Sequence, residues 1–166
     1  MGTTSVGDDL GRGDVPGLLA AIVVAELAGI VPAAFTASDV ASWYPTLAAP
    51  PLTPPSWVFG PVWTVLFAAI GAAAYLVYRR RDHPVRNRAL ALFGVQLALN
   101  VAWSFAFFGA RSPAAGLAVI LALDAAILAT MALFDRVDRR ATALMLPYLA
   151  WVLFATYLTA GFWTLN

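Results

Sequence analysis

The sequence predicts an all-α membrane protein built as a bundle of five transmembrane helices. Three observations predict it. Hydrophobic residues make up 61% of the 166 residues and charged residues only 11%, whereas a soluble domain carries about 25% charged residues. Five apolar segments each approach the length that spans a bilayer, roughly 20 residues. The alternating pattern of a transmembrane barrel is absent, which leaves helices as the structures able to satisfy their own backbone in lipid.

The elements follow in order. Met1 to Pro16 is polar, with Asp8, Asp9, Arg12 and Asp14. It lacks the basic n-region of a signal peptide, so residues 1–15 are expected to be a short disordered tail ahead of a single domain over 16–166. The first span is expected over about 16–36, with Glu26 and Pro32 inside it. The second covers about 57–78. The third covers about 89–108, between Arg88 and Arg111. The fourth covers about 113–134 and contains Asp124; Ser112 supplies a cap and Pro113 a tolerated first-turn proline. The fifth covers about 141–163 and contains Pro147, which is expected to kink it or loosen one turn. The small residues Gly71-Ala72-Ala73-Ala74 and Gly116-Leu117-Ala118 permit close helix approach, within the bundle or in a homodimer.

Between the first two spans lies a loop expected over 37–56. The stretch W-Y-P-T-L-A-A-P-P-L-T-P-P-S-W-V-F-G-P-V-W, from Trp43 to Trp63, holds six prolines and three tryptophans, and no residue from Val40 to Tyr78 is charged. Proline lacks an N–H and biases the residue before it towards extended geometry, so the part up to Pro55 is not an ordinary helix. A stiff, uncharged aromatic loop needs something to cover. It reads as a lid over a pocket between helices, or as an interfacial connector whose tryptophans sit at headgroup level.

All ten basic residues are arginine, and nine lie on one side: Arg12, then Arg79, Arg80, Arg81, Arg86 and Arg88, then Arg136, Arg139 and Arg140. The other side has Arg111. The positive-inside rule places the N-terminus in the cytoplasm and the C-terminus and the Pro/Trp loop outside.

The remaining composition narrows the chemistry. The net charge of +1 gives no reason to expect nucleic acid, and there is no cysteine for disulfides, thiolate metal sites or nucleophilic catalysis. Walker and dinucleotide fingerprints and internal repeats are absent. The one histidine, His83, lies in the basic loop, far from the outer side, so no metal ligand set and no Ser-His-Asp set is expected. No cofactor is expected either. Glu26 and Asp124 are the carboxylates within spans, and intramembrane acids are candidates for ligand or proton roles.

Topology also places aromatic residues at a shared depth. Trp63 and Phe67 start the second span. Gln96, Asn100, Trp103 and Phe107 share one face of the third. Trp151, Phe154 or Ala155, Leu158 and Phe162 repeat the same offsets on the fifth. Three aromatic faces therefore rise towards the Pro/Trp loop. They form either ordinary bundle core or a cavity for a flat hydrophobic ligand. The amides Gln96 and Asn100 favour the cavity, since buried amides cost free energy unless paired.

The same residues carry a family resemblance. Trp43 to Trp63 resembles the first-loop signature of the tryptophan-rich sensory protein / translocator protein family (TspO/MBR, the peripheral-type benzodiazepine receptor family). Q-L-A-L-N-V-A-W-S at Gln96 to Ser104 and F-F-G-A-R at Phe107 to Arg111 are similar to its third-helix signature. P-Y-L-A-W-V-L-F-A-T at Pro147 to Thr156 is similar to its fifth-helix signature. The resemblance implies a five-helix bundle, commonly a homodimer, that binds porphyrins, sterols and synthetic ligands, with roles in tetrapyrrole and steroid traffic or stress signalling. It implies ligand contacts at Tyr44, Pro54, Trp63, Asn100, Trp103, Trp151, Phe154, Ala155 and Leu158. Trp63 and Trp151 match the two tryptophans associated with light-dependent porphyrin breakdown, so an enzymatic role is an alternative to a receptor or carrier. A signalling or structural partner with an incidental cavity is another. The chain departs from the family pattern at Ala49 and Leu52, where a lysine and an aromatic residue are common, and at Ala160 and Thr164, where the sterol-recognition pattern is broken.

Overall fold

A computed structural model describes residues 10–166. Among them there is no strand, and five long helices dominate: α1 (Val15–Ser42), α2 (Ser56–Tyr78), α3 (Arg86–Ser104), α4 (Pro113–Val137) and α5 (Arg139–Leu165). All five are long and apolar enough to cross a membrane. Around the bundle, α1 packs on α2, α2 on α5, α5 on α4, α4 on α3, and α3 back on α1.

The helix bounds differ from expectation chiefly at α1. It continues six residues beyond 36, to Ser42, because Ala37 to Ser42 contains neither proline nor glycine. The hydropathy signal fades at Ser38 and Asp39, but nothing there breaks a helix. The Pro/Trp loop therefore occupies 43–55 rather than 37–56, beginning with a 3-10 turn over Tyr44–Thr46. Of the tail expected over 1–15, Met1–Asp9 lie outside the described residues. Arg12–Asp14 form a 3-10 turn, and Asp14 accepts a 2.7 Å hydrogen bond from Tyr75 of α2. Pro32, Pro61 and Pro147 lie inside helices, and α5 runs on in helical geometry through Pro147.

Lipid offers no hydrophobic drive for helices to associate, so close packing must hold them together. Glycines supply it. A Cβ placed on Gly71 would lie 2.7 Å from the Ile22 Cα and 2.9 Å from the Ala21 carbonyl oxygen, so α1 and α2 touch backbone to backbone there. A Cβ on Gly116 would lie 2.9 Å from the Phe107 ring, so α4 makes room for that side chain. Both small-residue stretches thus serve packing within the chain. The outward faces are apolar, as the bilayer requires; Val23, Val24 and Phe35 of α1 are all more than half exposed.

Two ion-pair groups mark the ends. At one end, Asp138 caps α5 through the Arg140 N–H (3.0 Å) and pairs with the Arg80 and Arg140 guanidinium groups (3.0 and 3.1 Å). Burial works to raise its pKa, but those hydrogen bonds outweigh burial and hold the carboxyl below the usual carboxylate range. At the other end, Arg111 pairs with Asp39 at 2.8 Å. Arg111 has φ 50°, a strained value for a side-chain-bearing residue. These are called the arginine end and the loop end below.

Between α3 and α4 the helix widens. The Ala110 N–H bonds to the Phe105 carbonyl at 2.7 Å, one residue further back than in an α-helix, and Phe105–Gly109 form a π turn. Such turns rotate the side chains that follow and recur at functional sites. Here Phe107 is buried against Trp43, Tyr44 and Phe162, while Phe108 reaches a cavity wall.

Candidate functional site

A cavity of about 800 Å³ lies between α1, α2 and α3 and runs from mid-helix to the loop end. Its volume has an identifiable source. Ala33, Ala37 and Ala41 recur every four residues along α1 and present almost no side chain to it, while Gly29 makes room for the Phe67 ring. The opposite wall is aromatic: Phe59, Trp63 and Phe67 from α2, Trp103 from α3, Phe108 from the π turn, and Tyr44 from the loop. Trp63 stacks on Phe67 at 5.4 Å and sits 6.4 Å from Trp103. Such edge and stacked pairs hold rings in place and leave flat faces for a ligand.

Polar groups on the wall are few. Asn100 is held by a buried ladder: its amide donates to the Tyr148 hydroxyl (3.2 Å), which donates to the Gln96 carbonyl oxygen (2.8 Å). Gln96 and Tyr148 are both 0% exposed. The two amides that suggested a cavity are therefore tied into the α3–α5 contact, with Asn100 reaching the cavity from there. Trp103 Nε1 is buried with no acceptor among the described residues, which leaves an N–H donor at a lining residue. Glu26 lines the deep end.

The expected contact residues fall into groups. Tyr44, Trp63, Asn100 and Trp103 share the main cavity. Ala155 and Leu158 border a smaller void of about 30 Å³, together with Tyr44, Phe59, Trp103 and Phe108 of the main wall. Trp151 and Phe154 line neither; Trp151 packs on Phe59 at 6.0 Å and on Phe154 at 5.6 Å, behind the α2 wall. Pro54 lines neither void and is partly buried. Asp124 accepts a 2.9 Å hydrogen bond from Thr156 between α4 and α5, away from the cavity. His83 lies in the turn at the arginine end, and no metal-binding group of three or more His, Asp or Glu side chains occurs among the described residues.

The loop divides its contacts. Tyr44 and Pro45 line the cavity. Further on, Pro50 sits on Gly161 of α5, the Tyr157 hydroxyl donates to the Pro51 carbonyl (3.0 Å), and Asn166 pairs with the Ala48 N–H and carbonyl (2.8 and 3.1 Å). The second half of the loop is thus strapped to α5. Trp43 of the loop packs inward, while Trp57, in the first turn of α2, is 75% exposed and suits a headgroup-level anchor.

Sequence reasoning missed the α1 wall. Its signal, small residues at a four-residue spacing, also occurs where helices merely pack. Phe59 and Phe108 were missed too, the latter because the π turn rotates it.

The chain has relatives among known proteins. Residues 21–164 match the family model described as TspO/MBR family. The "Tryptophan-rich protein TspO" of Archaeoglobus fulgidus is 40% identical over 152 residues, covering 90% of this chain and 96% of that protein. The human "Translocator protein" is 40% identical over 126 residues, 75% of each chain. The "Tryptophan-rich sensory protein" of Cereibacter sphaeroides is 37% identical over 124 residues, 75% of this chain and 77% of that one.

Proposed function

The chain belongs to the TspO/MBR family of five-helix membrane proteins, and from that premise we propose that it is a multi-pass membrane receptor or carrier for porphyrin-like, flat hydrophobic ligands. The binding site is the α1–α2–α3 cavity, and the cellular role is tetrapyrrole handling or stress sensing. One observation carries the reading: a cavity of about 800 Å³ with an aromatic wall and few polar groups, within the range of sites that bury small ligands, roughly 300–1,000 Å³. Trp63 and Trp103 provide stacking faces, and Asn100 provides a directional hydrogen bond. Ala155 and Leu158 extend the pocket towards α5. Tyr44 closes it at the loop end, and Pro54 keeps the loop stiff. Trp151 and Phe154 support Phe59 from behind. The arginine end faces the cytoplasm and the loop end faces outside, as the positive-inside rule requires. The working form is a homodimer.

The site is tested by photolabelling. Protein in nanodiscs is irradiated with a diazirine-bearing protoporphyrin, and the adducts are mapped by mass spectrometry. Labels are expected on α1 between Gly29 and Ala41 and on α2 between Phe59 and Phe67. Labels confined to α5, or to the lipid-facing positions Val24 and Phe35, would place the ligand elsewhere.

A further inference from the structure

Glu26 lines the cavity, and the reading above gives it no role. It is the only charged side chain on the wall among the described residues. α1 begins at Val15, so at about 1.5 Å per residue Glu26 lies roughly 17 Å from the arginine end, near mid-bilayer. It is partly buried, and among the described residues no hydrogen bond or ion pair reaches it. The cations at the arginine end have other carboxylates: Arg79 lies 3.7 Å from Asp14, and Arg80 lies 3.0 Å from Asp138. Its neighbours on the wall, Gly29, Ile30 and Phe67, offer no polar atom beyond backbone. An unpartnered carboxylate at this depth is costly, and such groups mark ligand or ion pathways. The partner the chain withholds is one that a ligand can bring.

We propose that Glu26 is the specificity determinant of the cavity's deep end: it accepts flat amphiphiles whose leading end carries an ammonium or another cationic N–H donor, and it rejects those that lead with a carboxylate. The proposal rests on the ligand-binding reading of this cavity. The physics is charge pairing in a site of low effective dielectric, where attraction and like-charge repulsion are both amplified. An acidic porphyrin consequently keeps its carboxylate edge at the loop end, more than half the helix length from Glu26.

Three probes sharing one tricyclic ring test this: 9-(aminomethyl)anthracene, 9-anthracenemethanol and 9-anthracenecarboxylate. Each is titrated into wild-type and Glu26→Gln protein in phosphatidylcholine nanodiscs, following energy transfer from tryptophan and subtracting empty discs. The wild type is expected to bind the ammonium probe most tightly and the carboxylate least. Glu26→Gln is expected to shrink the ammonium-to-carboxylate affinity ratio by on the order of tenfold or more, about 1.4 kcal/mol, and to leave the alcohol unchanged. The alcohol also reports that the variant is folded. A ratio that survives in Glu26→Gln, or equal affinities in the wild type, overturns the role of Glu26 while saturable alcohol binding leaves the cavity reading standing. Failure of all three probes to saturate overturns both.

Discussion

Gly71→Leu is expected to separate α1 from α2 and to lower the unfolding midpoint in detergent by roughly 2–12 °C. The contact at Gly71 is to the backbone of Ile22 and Ala21. A flexible side chain could give way, but a helix backbone can do so only by moving the whole of α1. Overpacking a tight contact costs about 1–3 kcal/mol, and in a domain of this size each kcal/mol lowers the midpoint by roughly 2–4 °C. Because α1 forms one full wall of the cavity, ligand affinity should fall together with stability. Gly94→Leu is the matched control. Gly94 lies in α3, and no neighbouring atom comes within 4 Å of where a Cβ would sit on it, so its midpoint should hold. Equal midpoints for both variants and the wild type would mean that α1 and α2 do not meet at Gly71.

Tyr148→Phe is expected to destabilise the protein by about 1–3 kcal/mol, the cost of leaving buried polar groups without partners. The lost hydroxyl is the middle of the ladder, donating to Gln96 and accepting from Asn100. The phenylalanine ring fills the same space, so no cavity is created and the effect isolates the hydrogen bonds. Asn100 loses the contact that orients its amide at the cavity wall. Porphyrin affinity should therefore weaken severalfold, although residue 148 does not line the cavity. Thermal unfolding and titration of the same sample check both parts. Unchanged stability would mean that the two amides find other partners.

The five spans are legible in the sequence because lipid demands long uncharged runs, and the bounds of α2 and α4 follow from prolines and a serine cap at Pro55, Ser112 and Pro113. The end of α1 is not legible from hydropathy, because apolarity reports where the bilayer is and not where a helix stops. Trp63, Asn100 and Trp103 are legible because helical spacing brings them to one depth beside the loop. Their counterparts on α5 show the same spacing, but spacing does not reveal which helices are neighbours. Phe59 stands between Trp151 and the cavity, and only the packing of α2 on α5 reveals that. The α1 wall is the least legible part. Gly71 closes a contact and Ala33 opens a void, yet both are small residues in apolar helices. Whether a small residue packs or lines depends on the partner opposite it. The π turn is equally hidden, because it is an extra residue accommodated in a helix and not a change of composition.

The most direct measurement of the central claim is a protoporphyrin titration of purified wild-type protein and the Trp63→Ala/Asn100→Ala variant, followed by tryptophan quenching and referenced to the tryptophans that remain. The account predicts saturable binding to the wild type and a loss of affinity of about tenfold or more in the variant, which removes one stacking face and one directed amide from the same wall. Equal affinities, or quenching that never saturates, would contradict a ligand site between α1, α2 and α3.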